Sequence, residues 1–161
     1  VFALSCAGRP EPGYAELLHG RREDLSHESR ALIALAMLAD GDGGKEIDWL
    51  LDTRNRAPED FGWFGSPARA LAARLLAWTR YQPENREVGI LTAELLQAQR
   101  SGSWRTTQEN AWALLALSEY FTRVEGELRR LNRLSVTDAG RCLWPRRGNP
   151  NSDLVPRARS R

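Results

Sequence analysis

The side chains able to do chemistry are few, and their spacing does not converge on any one reaction. His19 and His27 are the only histidines and form no His-x-x-x-His pair, so a two-histidine metal site on one helix face is excluded. Each is read as a surface or interhelical residue. Cys6 and Cys142 are far apart, fit no metal-ligand spacing and make no Cys-x-x-Cys pair. Both are read as buried or spare thiols. Glu23-Asp24, Asp40 with Asp42, and Glu59-Asp60 fall at helix ends or in loops, where a solvated or capping carboxylate is expected rather than a general acid or base. No glycine-rich phosphate loop is present. The sequence therefore assigns no catalytic, cofactor-binding or metal-ligating residue, and the chain is expected not to be an enzyme.

Composition narrows the setting in which such a chain works. With 161 residues, 42% hydrophobic and 27% charged, it matches one globular domain plus a tail. No apolar run approaches the roughly 18 to 20 residues needed to cross a bilayer, so membrane insertion is not expected. Past Gly126 there are nine arginines against Glu127, Asp138 and Asp153, a net +6; because the whole chain is +2, residues 1–126 carry −4. The basic tail has no amphipathic period, and nucleic acid is not expected as a partner. Lys45 is the only lysine, an arginine bias that fits a GC-rich coding sequence better than a binding surface. Leu4-Ser5-Cys6 has no charged and apolar leader before it and is not read as a signal-peptide cleavage site.

The elements that would hold any site are helical hairpins. Ser29–Ala36, Pro67–Leu76 and Asn110–Leu117 repeat one alanine- and leucine-rich plan about every 40 residues. A shorter, more amphipathic segment precedes each: Tyr14–Arg22, Glu46–Arg54 and Arg86–Arg100, with Leu17-Leu18, Leu50-Leu51 and Leu95-Leu96 as apolar pairs. Outer helix, turn, inner helix is the unit. Ser26 is expected to cap the first inner helix, Ser66 with Pro67 at the first helical position the second, and Thr106 with Glu109 forms a capping box for the third. Beyond that box almost no polar residue appears until Ser118, which predicts burial over most of the helix circumference. Phe2-Ala3-Leu4 through Gly8 and Pro10 reads as a helix ending on a glycine, so the chain is expected to begin inside a helix. Gly41, Gly43 and Gly44 close the first hairpin, Tyr81-Gln82-Pro83 the second and Gly126 the third. Gly62-Trp63-Phe64 and Gly102-Ser103-Trp104 place aromatics in the turns before the last two inner helices, where they are expected to plug the gap between hairpins.

Two family resemblances follow from these segments. Gln97 with Gly102-Ser103-Trp104 resembles the glutamine-tryptophan repeat of terpenoid cyclases, which ties a helix end to the next turn in rings of helical hairpins; the aspartate-rich segments of that chemistry are missing. A fragment of a toroidal cyclase or prenyltransferase, or a helical-repeat protein-binding scaffold, is the alternative reading. The stretch Trp104–Tyr120 resembles the last hairpin of the thioester domain of bacterial alpha-2-macroglobulin-like proteins. Phe2–Pro10, Ser29–Ala36 and Trp63–Ala70 are similar to segments of the same domain in the same order, so that the resemblance covers residues 1 to about 126.

That resemblance implies an all-α fold, part of an α/α toroid with about three hairpins, from a secreted or periplasmic protein that traps proteases. Its implied partners are the other domains of the parent and the target proteases, with no cofactor. The family's reactive Cys-x-Glu-Gln tetrapeptide does not occur here, and Cys6 is followed by Ala7-Gly8-Arg9. Neither His19 nor His27 falls at the family's attacking histidine, so no residue is carried over. Residues 127–161 have neither helical nor strand period, contain three prolines and Arg-Arg pairs, and are read as a basic disordered tail, with a frameshift near Glu127 as the preferred account and a genuine disordered terminus as the alternative.

Overall fold

The computed structural model describes residues 1–41, 43–58 and 66–126, and from the remainder the backbone of Thr137–Asp138 and Arg141–Cys142. The chain divides into two units, Val1–Gly126 and Glu127–Arg161. Unit one is all-α: α1 (Phe2–Cys6), α2 (Pro12–Gly20), α3 (His27–Ala39), α4 (Lys45–Leu51), α5 (Pro67–Tyr81), α6 (Arg86–Gln97) and α7 (Thr107–Tyr120), with a 3₁₀ turn at Arg22–Asp24 and a π turn at Phe121–Glu125. In unit two, the described residues form a two-residue antiparallel pairing of Thr137–Asp138 with Arg141–Cys142. The rest of the segment read as disordered lies outside the described residues.

The helices start where the sequence places their caps. Ser26 and Ser66 accept from the amides of Ser29 and Arg69, and Pro67 occupies the first turn, where its missing N–H leaves nothing unpaired. Both halves of the Thr106–Glu109 box are made, each bond at 3.1 Å. At the end of α1, Gly8 takes φ +68°, and the amides of Gly8 and Arg9 return to the carbonyls of Ser5 and Leu4. This is the Schellman closure, which needs the left-handed conformation that glycine adopts without strain. Gly41 ends α3 in the same left-handed region at φ +85°. Gly126 departs from the expected closure: its φ is −60°, so the backbone stays right-handed after the π turn instead of reversing there.

The helices sort into two layers. Side by side in chain order, α1, α3, α5 and α7 make the inner layer, while α2 and α4 pack on α3 and α6 packs on α5. Arg69 near the start of α5 bonds Glu28 near the start of α3 and Gln108 near the start of α7, and Arg80 near the end of α5 pairs with Glu119 of α7. The inner helices therefore run parallel. Phe2 of α1 meets Trp112 of α7 with ring centroids 6.2 Å apart, which curls the layer toward itself. Ala31, Ala34, Leu35, Ala72, Leu75, Leu76, Ala113 and Ala116 are fully buried, and the alanines let the parallel axes approach closely. Of the outer apolar pairs, Leu50 and Leu51 are both buried, whereas Leu17 and Leu96 are exposed beside inward-facing Leu18 and Leu95.

Candidate functional site

The turn before α7 is held by a dense set of hydrogen bonds. The Trp104 indole fills the gap between α6 and α7, 6% exposed, and its Nε1 donates to the Leu95 carbonyl at 3.0 Å. Asn110, one turn into α7, clamps the same residue: its Oδ1 accepts from the Trp104 amide at 3.2 Å, and its Nδ2 donates to the carbonyls of Trp104 (2.8 Å) and Thr106 (2.7 Å). Gln97, which the cyclase-like spacing points to as the tie, is instead exposed. The reason is geometric. A residue inside α7 sits over the turn it closes, whereas Gln97 ends α6 on its outward side. The companion aromatics Trp63 and Phe64 lie outside the described residues.

Two arginines organise the start of the inner layer. Arg69 donates through Nε to Glu28 Oε1 at 2.7 Å and through Nη2 to the same oxygen, and its Nη1 reaches Gln108 Oε1 at 2.7 Å. One planar fork thus spans three consecutive inner helices. Arg30, fully buried, donates to four backbone carbonyls: Arg22 (2.8 Å), Glu23 (3.2 Å), Asn55 (2.8 Å) and Arg56 (2.8 Å). Its guanidinium also lies 4.9 Å from the Trp49 ring centroid, with that of Arg22 at 4.6 Å. The sequence reading missed Arg30, Arg69 and Asn110, because the period that identifies a buried helix face carries no information on polar residues that enter it already bonded.

The titratable residues singled out from the sequence are not brought into one place. His27, at the first turn of α3, has its imidazole held below the ordinary value by partial burial, with the charges of Arg74 and Arg30 acting in the same direction. Burial likewise lowers the Arg74 guanidinium, whose nearest carboxylate, Glu87, stands 3.9 Å away and whose Nε has no partner among the described residues. Asp40 caps α3 and accepts from the Ser5 hydroxyl at 3.2 Å, which ties α1 to the end of α3. Glu23 and Asp24 form the 3₁₀ turn. Asp42, Glu59 and Asp60 lie outside the described residues. Cys6 is a free, exposed thiol rather than a buried one, because it faces outward on the last turn of the five-residue α1. Cys142's side chain is outside the described residues.

Two open clefts lie at the surface. One of about 900 Å³ is lined by Glu23, Trp49, Asn55, Arg56, Ala57 and Pro58, next to the Arg30 clip. The other, about 420 Å³, lies between the end of α4 and the start of α6, with Trp78 in its lining and Asp52 already engaged by Arg54. Neither brings a nucleophile to a base. Among the described residues no group of three or more His, Cys, Asp or Glu is placed to hold a metal ion, and no helix is long and apolar enough to cross a membrane.

Fold and site together define a layered array of helical hairpins braced by internal polar clamps. Within that class, part of the chain is similar to the alpha-2-macroglobulin homolog of Nostoc sp. (strain PCC 7120), at 38% identity over 63 residues. The match covers 39% of this chain and 3% of that homolog. No family model matches the chain. No solved structure matches it either.

Proposed function

We propose that this chain is a structural part of the helical domain of a protease-trapping, macroglobulin-like protein, and that it carries no reactive group of its own. The observation that carries the reading is the 38% identity over 63 residues to a macroglobulin homolog, in a chain folded as alanine-rich helical hairpins. In such a protein the hairpin array would belong to the α/α toroid that holds the thioester, and its work would be to keep a fixed shape while other domains move around it. The sequence contains no Cys-x-Glu-Gln, which supports assigning the reactive step to another part of the parent or to a parent without one. A periplasmic or secreted setting, with proteases as targets of the whole protein, belongs to the same proposal.

The deciding experiment reads the coding DNA on both sides of this segment and expresses the whole open reading frame. Sandwich-type β modules on both sides, together with a covalent or steric protease complex on gel electrophoresis, are the expected outcome. Helical repeats alone on both sides would replace this reading with a binding scaffold, and aspartate-rich segments would replace it with a cyclase. Methylamine treatment of the present chain should leave its mass unchanged; an adduct with a new free thiol would refute the absence of a reactive centre.

A further inference from the structure

Three guanidiniums gather around one tryptophan with no carboxylate in ion-pair contact. Arg22 and Arg30 stand 4.6 and 4.9 Å from the centroid of the Trp49 ring, and Arg56 lines the cleft of about 900 Å³ that Trp49 helps to wall. Arg54, Arg69, Arg74, Arg80 and Arg123 each form an ion pair, whereas among the described residues Arg22, Arg30 and Arg56 form none. Arg22 donates to the His19 carbonyl and Arg30 to four carbonyls, so both lean on dipoles, which leave the net charge in place. A charge held away from water without a counter-charge is costly. Burial lowers the Arg30 pKa, with the Glu23 carboxylate acting in the other direction, and Glu23 is the only acid in the described lining of the cleft.

The surroundings of these charges select the ligand. Trp49, Ala57 and Pro58 set apolar surface beside Arg56 in the cleft wall. The positive charge is local, because residues 1–126 carry −4 overall; that field repels an extended polyanion such as nucleic acid but not a short segment that meets only this patch. We propose that the Trp49 cleft is a docking site for a short acidic peptide segment of another protein, a Glu or Asp carboxylate drawn to Arg56 with Arg22 and Arg30 behind it, and an apolar neighbour laid against Trp49 and Pro58. Arginine clusters recognise acidic motifs in this way, and tryptophan and arginine are the residues in which interfaces concentrate their energy. Arg30 acts through its field rather than by contact, since it is 0% exposed. Glu23 on the same wall opposes a run of carboxylates, so the segment should carry a single acid among apolar residues. The inference stands on this cleft alone and not on the proposed function.

The test titrates the full chain into the peptide Ala-Leu-Glu-Pro-Leu-Ala, blocked at both ends and carrying an uncharged dye, and follows fluorescence anisotropy. Saturable binding is expected, with none by the same peptide bearing Lys in place of Glu. Arg56→Glu should weaken it by about tenfold or more, and Arg54→Gln, two residues away, should leave it unchanged. Both Arg56→Glu and the milder Arg56→Gln keep the backbone carbonyl that Arg30 holds, and circular dichroism checks that each variant is folded. Equal binding of the Lys peptide would overturn the inference. So would binding insensitive to both Arg56 variants, which would place the peptide elsewhere, on the arginine-rich residues 127–161 or on exposed apolar surface. Displacement of the peptide by duplex DNA at lower concentration would make the ligand a nucleic acid and refute the peptide. Absence of binding by the parent chain would also refute it, and if Glu59→Gln with Asp60→Asn then restored binding, the chain's own acids would be the occupant. Each result stands whether or not the parent proves to trap proteases.

Discussion

Arg30 shows how much of the fold can hang on one side chain. Its buried guanidinium is satisfied by four backbone carbonyls from two separate loops rather than by a carboxylate, so its removal strands those carbonyls away from water. Arg30→Lys keeps a charge but has no planar fork, and we expect it to lower stability by about 2 kcal/mol, read as a shift in the denaturant midpoint. A variant as stable as the parent would mean that the loops hold themselves. Asn110→Ala should cost about 1–2 kcal/mol, because it releases both the amide and the carbonyl of Trp104, whereas Gln97→Ala should cost almost nothing. His27 supplies a pH dependence. Its folded pKa lies below the ordinary 6.5, so the unfolded chain binds the proton more readily, and the stability His27 contributes is complete above about pH 6.5 and lost as pH falls through the lowered folded value. Chemical unfolding of His27→Gln should therefore show a flatter stability profile than the parent below that pH; superimposable profiles would remove the residue from the account.

At the scale of elements, position in the array sets what a given residue is worth. Leu75 of α5 is fully buried, whereas Leu114 of α7 is 63% exposed. Leu75→Ala should cost about 3 kcal/mol through the cavity it leaves, and Leu114→Ala less than about 0.5 kcal/mol; equal costs in thermal or denaturant unfolding would refute the layer order. The same contrast explains what could be read from the sequence. Helix starts were legible because Ser26, Ser66-Pro67 and Thr106-x-x-Glu109 act on amides within four residues, and the alternation of outer and inner helices follows from apolar spacing along each one. The burial of α7 was overread. Its apolar pattern is that of a helix covered nearly all round, but exposure depends on neighbours that a pattern within the helix does not contain, so Leu114 and Leu115 stand open. The clamps were missed for the converse reason: Arg69 meets Glu28 forty-one residues away, and no local rule pairs them. Of the expected site, the absence of a Cys-x-Glu-Gln was plain in the sequence, while the cross-helix bracing became visible only in three dimensions.

For the whole molecule, both ends of the array leave apolar surface uncovered: Leu4, Tyr14 and Leu17 on the first hairpin, Leu114, Leu115 and Phe121 on the last. Each Å² so exposed forgoes about 25 cal/mol, so the isolated chain should be only marginally stable and should bind a hydrophobic dye in its native state. A tightly folded chain that leaves the dye dark would argue that these flanks are finished surfaces. The sequence past Gly126 raises a separate question. If the family resemblance holds, the polypeptide should pass there into β-sandwich sequence, which alternates apolar and polar residues over strand-length runs. Arg129-Arg130, Arg146-Arg147, Gly148-Asn149-Pro150-Asn151 and Pro156–Arg161 do not alternate. Arginine and proline in this excess are what a GC-rich gene yields when read in the wrong frame, which motivates the hypothesis of a frameshift near Glu127. Translation of the same DNA in its other two forward frames is expected to restore alternating, strand-like sequence just past Gly126. If neither frame does so, the arginine-rich segment is the protein's own, and the net +6 of residues 127–161 must be explained as a feature of the molecule rather than of its gene.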